Sequence, residues 1–225
     1  MPETKKKSKT ELVFILDRSG SMGGLESDTI GGYNAMMEKQ KDVNSDITVT
    51  TVLFDDYYEL LHDRIKYDEL SPMTEKDYFV RGATALIDAI GKTIIKIDNA
   101  QRSIKKEFRA DKVIFVITTD GFENSSREFR AEQVKKMVTQ KRKEDKWEFI
   151  FLGANIDAIE TAERYGFAKS RSVNYVADSC GLGVQYETMG KTLFSLAESD
   201  HEFSDAEMVD CLSPISEDHE ERNGG

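Results

Sequence analysis

Short unbroken apolar runs alternate along this chain with longer stretches whose apolar residues recur at helical spacing. Glu11 to Leu16 is almost wholly apolar and β-rich. A run with no polar face suits a central parallel strand covered on both sides. Asp28 to Lys41 has helical character, with Ile30, Tyr33, Met36 and Met37 on one face, although Gly31 and Gly32 weaken its first turn. Ile47 to Phe54 alternates Ile, Val and Val with Thr and then closes on Leu53-Phe54, a strand pattern. Asp55-Asp56 marks a turn, and Tyr57 to Ile65 reads as the second strand of a hairpin.

Ala85 to Phe108 predicts a long helix with Leu86, Ile90, Ile94 and Ile97 inward. Lys112 to Thr119 and Trp147 to Leu152 are further buried strands, separated by an amphipathic helix over Arg130 to Lys143. Asp157 to Tyr165 predicts a helix, Arg171 to Tyr175 a short edge strand, and Leu182 to Ala197 a last helix. The expectation is an α/β fold: a doubly wound, mostly parallel six-stranded sheet with helices on both faces and one antiparallel edge strand. No internal repeat is visible.

A chain of 225 residues fits one large domain better than two small ones. The boundaries expected are a disordered basic arm at 1–10, the domain at 11–197, and an acidic, disordered tail at 198–225. Tail carboxylates supply much of the net charge of -11, which argues against nucleic-acid binding. Three readings of the tail stay open: a solvated extension, a dock for a basic partner, or a source of a carboxylate ligand for a metal. No apolar run is long enough for a membrane span, and Leu12 to Leu16 is too short for a signal-peptide core. Cys180 and Cys211 are too few for a disulfide framework, so a reduced, cytoplasmic setting is expected.

The candidate chemistry lies where strands end. Asp17-Arg18-Ser19-Gly20-Ser21 follows the first strand, placing one carboxylate and two hydroxyls at alternate positions of a tight loop, with Gly20 allowing the bend. Oxygen-only ligands suit a hard cation such as Mg²⁺, which holds them at roughly 2.0–2.1 Å. Neutral serines leave the charge incompletely balanced and leave room for one more anion. Such residues are common in turns, so this motif alone says little. Two more pieces change that. Gly82-Ala83-Thr84 precedes the long helix and offers a third hydroxyl. Thr119-Asp120-Gly121 ends the fourth strand and offers a second carboxylate. In a sheet ordered 3-2-1-4-5-6 the first and fourth strands are neighbours, and the crevice at their carboxyl ends is the expected ligand site.

Asp17-x-Ser19-x-Ser21, Gly82-x-Thr84 and Thr119-Asp120-Gly121, in this order, resemble the metal-ion-dependent adhesion motif of von Willebrand factor A (VWA) domains. The resemblance covers about Glu11 to Ala197. It leans to small stand-alone bacterial and phage members through Leu16-Asp17-Arg18-Ser19-Gly20-Ser21-Met22, Gly31-Gly32-Tyr33-Asn34 and Phe151-Leu152-Gly153-Ala154-Asn155-Ile156-Asp157. It implies a Rossmann-like VWA fold in which Ser19, Ser21 and Thr84 contact the metal. Asp17 and Asp120 would act directly or through water. The cation, Mg²⁺ with Mn²⁺ or Ca²⁺ as alternatives, would bridge to an Asp or Glu of a partner protein. A family resemblance gives fold and site more firmly than role.

Two other roles compete with a binding module. One is a Mg²⁺-dependent phosphohydrolase, disfavoured because no His or Lys lies in the three loops to act as general base. The other is a constitutive assembly subunit with a stabilising metal. Arg18 and Arg81 read as solvent-exposed loop charges, and Asp88 as a solvated helix carboxylate. Glu123, Asn124, Ser125 and Ser126 either line a partner surface or cap the next helix. His62, His201 and His219 have no metal-ligand spacing. Met22, Met36, Met37 and Trp147 read as packing. Gly153 to Asp157 could border the crevice but fits no phosphate-binding pattern.

Overall fold

The computed structural model describes residues 7–155 and 157–223. Among them one sheet is built from β1 (Ser8–Asp17), β2 (Ser45–Phe54), β3 (Tyr58–Lys66), β4 (Lys112–Thr119), β5 (Glu148–Gly153) and β6 (Ser172–Asn174). The order is β3-β2-β1-β4-β5-β6, parallel throughout except for β3, which returns antiparallel on β2. This is the doubly wound sheet that the alternation of runs predicts.

The helices are α1 (Glu26–Glu38), α2 (Leu86–Ser103), α3 (Ala131–Glu144), α4 (Ala158–Arg164), α5 (Ser179–Glu198) and α6 (Asp205–Asn223). β1 shows why its run has no polar face. Leu12, Phe14 and Leu16 enter one core, and Val13 and Ile15 enter the other. The first core is closed by Tyr33, Met36 and Met37 of α1, by Leu182, Tyr186 and Leu193 of α5, and by α6. The second is closed by Ile90, Ile94 and Ile97 of α2, Val134 and Val138 of α3, and Ala158 and Ala162 of α4. Trp147 stacks on Phe115 with ring centroids 5.5 Å apart, and Met22 is buried, so these do serve packing.

Gly32 weakens the intrinsic propensity of α1 but sets its approach to α5. A Cβ there would lie 2.2 Å from Cδ2 of Tyr186. His62 is buried and bonded to Thr51 Oγ1 at 3.1 Å and to the Ser71 carbonyl at 3.1 Å. Cys180 and Cys211 are free thiols. Among the described residues no helix is long and apolar enough to cross a membrane.

Three sequence expectations change. α2 stops at Ser103 because Ile104 turns extended, and Lys106–Phe108 forms a separate 3-10 turn. The stretch expected as a disordered arm contributes to β1 from Ser8. Thr10 is buried, and Lys9 N donates to Asp111 Oδ2 at 2.9 Å. Residues 1–6 lie outside the described residues. The acidic tail is largely α6. Its apolar residues Met208, Leu212 and Ile215 fall at helical spacing and are buried against α5 and the β6 edge. Counting charge hid that stripe.

The tail carboxylates pair locally. Asp205 bonds Arg171, Glu207 bonds His201 at 2.9 Å, and Asp218 bonds Arg222 at 3.3 Å. Arg222 in turn bonds Asp178, the N-cap of α5. α6 therefore packs beside the edge strand β6 as well as on α5.

Leu212→Ala is expected to lower the free energy of unfolding by about 2–5 kcal/mol in urea titration, as for a buried leucine. A loss within about 0.5 kcal/mol would return the tail to a solvated extension.

Candidate metal centre

Parallel pairing of β1 with β4 sets the site. Asp17 is the last residue of β1, and Asp120 directly follows β4, so both carboxylates stand at the carboxyl edge of adjacent central strands. A 3-10 turn at Gly20–Met22 carries Ser21. Thr84 arrives on the loop that enters α2.

The five side chains form one connected cluster. Thr84 Oγ1 donates to Ser19 Oγ at 3.0 Å, and Ser19 Oγ lies 3.1 Å from Ser21 Oγ. Ser21 Oγ donates to Asp120 Oδ1 at 2.5 Å. Asp17 joins from the strand end. Its Oδ1 accepts from Ser19 N at 2.7 Å and its Oδ2 from Thr119 Oγ1 at 2.6 Å. Tyr78 OH donates to the Asp17 carbonyl at 2.5 Å and steadies that end. Asp17, Ser19, Thr84 and Asp120 are buried, while Gly20 and Ser21 are exposed, so the cluster opens on one side.

Burial pushes the Asp17 carboxyl up to about 6, against the opposing hydrogen bonds from Thr119 and Ser19, and the charge of Asp120 adds to the rise. Asp120 is also raised, chiefly by burial, with the Ser21 hydrogen bond opposing. Asp120 Oδ2 is buried and has no hydrogen-bond partner among the described residues. No protein cation is among the causes of either shift. Two desolvated carboxylates, one with an orphaned oxygen, beside three hydroxyls fit the oxygen-only donor set of a hard divalent cation. No cluster of three or more His, Cys, Asp or Glu suited to a metal occurs among the described residues, so a cation here would depend on hydroxyl oxygens.

Arg18 departs from its sequence reading as an exposed charge. Its side chain is fully buried, donating to Asp55 Oδ2 at 2.9 Å and to Glu59 Oε2 at 2.6 Å. Asp55, buried in the β2–β3 turn, and Glu59, half-exposed on β3, compensate the guanidinium, and neither is recognisable as its partner from spacing alone. Arg81 is 39% exposed and also bonds Asp55, at 2.7 Å. Asp55 thus holds the Asp17 loop and the Thr84 loop together. Backbone bonds reinforce this: Arg81 N to Arg18 O at 2.9 Å, Ala85 N to Asp55 O at 2.9 Å, and Gly20 N to Gly82 O at 3.3 Å. The Asp17–Ser21 bend does not need a glycine at position 20, whereas the neighbouring Thr84 loop does need one at Gly82. Gly82 has φ +66°, and a Cβ there would meet Asp56 Oδ1 at 1.9 Å. A Cβ on Gly20 would make only an ordinary 3.6 Å contact.

The loop after Asp120 caps α2 rather than α3. Glu123 accepts from Ile87 N at 2.9 Å, and Ser126 Oγ accepts from Asp88 N at 3.0 Å. Asn124 Oδ1 accepts from Thr84 N at 2.9 Å, which fixes the third hydroxyl. Asp88 is buried, not solvated. It accepts from the amides of Arg127 at 2.8 Å and Phe129 at 2.8 Å and so holds the same loop. Asn155 Nδ2 reaches the Asp120 carbonyl at 3.4 Å, so the loop after β5 does border the cluster. Ile156 lies outside the described residues. Tyr78 and the bracing role of Asp55 were missed from sequence, and Asn124 was given a different role, because they act through loops remote in the chain. An arginine at a buried strand end was the one available signal.

No protein-family model matches the chain, and no curated protein matches it in sequence. Solved structures do match its fold. The von Willebrand factor domain of the type V pili tip protein Mfa5 from Porphyromonas gingivalis matches with TM-score 0.58 and 11% identity, over 89% of this chain and 100% of its own. A von Willebrand factor type A protein from Catenulispora acidiphila matches with TM-score 0.56 and 13% identity, over 85% of this chain and 43% of its own. Proximal thread matrix protein 1 from the mussel byssus, with zinc in its adhesion motif, gives TM-score 0.53 and 13% identity, over 84% and 46%. The chain spans less than half the length of the latter two. The fold is that of VWA domains.

Arg18→Met leaves Asp55 buried with only half-exposed Arg81 to balance it. It is expected to cost about 3–5 kcal/mol of stability in urea titration, the range for breaking a buried pair. A cost within about 0.5 kcal/mol would place Arg18 among ordinary surface charges.

Proposed function

We propose that this chain is a metal-dependent protein-binding module. Ser19, Ser21 and Thr84 would hold a divalent cation with Asp17 and Asp120, and the cation would bridge to an Asp or Glu carboxylate of a partner protein. The observation that carries the reading is the meeting of three hydroxyls and two buried carboxylates from three separate loops, with Asp120 Oδ2 unpartnered. The zinc in the adhesion motif of the mussel protein supports a metal at the corresponding place.

The residues divide the work. Ser19, Ser21 and Thr84 present neutral oxygens and hold the position of the ion without saturating its charge. Asp17, held on both oxygens by Ser19 N and Thr119 Oγ1, supplies negative charge in a fixed place. Asp120 offers its free oxygen. When bound, the cation supplies Lewis acidity toward one external carboxylate. The exposed side of the cluster, at Gly20 and Ser21, is the side from which that carboxylate would come. Mg²⁺ suits the small hydroxyl-rich donor set.

The surroundings favour binding over catalysis. Glu123 is occupied by backbone amides and Arg18 and Arg81 by Asp55 and Glu59, and no His or Lys lies in the three loops to serve as a general base.

For a Kd of about 1 mM, about 10 mM Mg²⁺ stabilises the fold by about 1.4 kcal/mol. That is about 3–6 °C in Tm for a domain of this size. The shift is expected in thermal denaturation of the wild type and is expected to vanish in Thr84→Ala. An equal shift in both proteins would place any ion elsewhere.

A further inference from the structure

Three aromatic side chains stand exposed near the site, Phe122 at 69% and Phe79 at 42% on loops that carry it and Tyr57 at 66% on the adjoining β2–β3 turn. Scattered exposed apolar residues are ordinary, but these three lie on segments that meet at the edge where β1, β2 and β4 end. Phe122 follows Gly121, where an added Cβ would lie 3.1 Å from Ser21 Oγ and 3.5 Å from Thr84 Oγ1. It therefore stands one residue from the hydroxyl cluster. Phe79 and Tyr57 lie on another side and bracket Arg81, whose guanidinium carbon is 5.3 Å and 5.6 Å from their ring centroids. The Arg18 guanidinium carbon lies 5.4 Å from the Phe79 ring on the same side.

The Tyr57–Arg81–Phe79 side is pre-ordered and its cations are spent. Arg81 is tied to Asp55 at 2.7 Å and to Glu59 at 3.4 Å, and Arg18 to the same two acids. Neither offers free positive charge to an acidic stretch. Asp56 approaches Gly82, and Glu59 is 50% exposed, so negative charge borders the aromatic residues. The whole chain carries -11, which opposes the approach of a polyacidic surface. Aromatic residues held in place lose little rotamer entropy on contact and are the type that anchors interfaces.

We propose that the aromatic rim selects partners that present a single carboxylate flanked by apolar side chains, and discriminates against clustered acids. The proposal rests on the metal-bridged reading of the site. The bridging carboxylate supplies the polar contact. Phe122 on one side and the Tyr57–Arg81–Phe79 stack on the other receive its apolar neighbours.

The test uses the full chain and three capped peptides of equal length, each with one central aspartate. The flanks are Leu and Phe in the first, Gly and Ser in the second, and Glu in the third. Binding is measured in Mg²⁺ and in EDTA, for wild type and for a Phe122→Ser/Tyr57→Ser double variant, whose changes are both exposed. In Mg²⁺ the wild type is expected to bind the apolar-flanked peptide at least about tenfold more tightly than either other peptide. The double variant is expected to keep the Mg²⁺ thermal shift of the wild type while its preference falls below about threefold. Equal affinities, a Glu-flanked peptide that binds best, a preference that survives in the double variant, or no peptide binding by protein that shows the shift would overturn the rim proposal. An apolar preference that persists unchanged in EDTA, or loss of the shift from wild type itself, would overturn the metal-bridged reading beneath it.

Discussion

Because β1 and β4 pair in parallel at the centre of the sheet, Asp17 and the Asp120 loop leave the same edge side by side. Burial on both faces makes that pairing almost obligatory, since neither strand has a polar side to turn to water. The consequence is two carboxylates brought together in a desolvated place, each with its proton affinity raised. A fold does not accumulate that electrostatic cost without something to offset it. Three hydroxyls in the same cluster, and one carboxylate oxygen left unpaired, are the donor set on which the proposed cation would draw.

The second constraint is how the loops are kept in place. Asp55 grips Arg18 in one loop and Arg81 in the next, and its carbonyl receives the amide of Ala85 beside Thr84. On the other flank Asn124, Glu123 and Ser126 bind the start of α2, while Asp88 binds the amides that follow them. The geometry of Ser19, Ser21 and Thr84 is therefore set before any ligand arrives. Pre-ordering of this kind would let weak neutral donors serve the proposed ion, because little entropy remains to be lost.

Fold class was legible because both cores write themselves into the chain as unbroken runs for strands and spaced residues for helices. Sheet order followed from the alternation of strands and helices, and the position of four of the five side chains from where β1 and β4 stop, with Thr84 marked by the start of α2. Other features left weaker marks. Met208, Leu212 and Ile215 are a proper helical stripe, but ten surrounding carboxylates make the segment read as solvated tail. Arg18 reads as a loop charge because its partners, Asp55 and Glu59, lie 37 and 41 residues away. Asp88 looks like a solvated acid, and Glu123 like a partner-surface residue, until the amides that they accept from are brought to them by folding. Periodicity reports what faces a core. It does not report which buried charge finds which partner.

The claim at the centre of this account is that Ser19, Ser21 and Thr84 hold a cation with one position open to an outside carboxylate. Crystals grown or soaked with Mn²⁺ and measured at its absorption edge would locate the ion directly. The account predicts one anomalous peak within about 2.0–2.3 Å of the three hydroxyl oxygens, with a water, acetate or neighbouring carboxylate completing the sphere. An anomalous peak elsewhere, or none in well-ordered crystals at millimolar Mn²⁺, would contradict it.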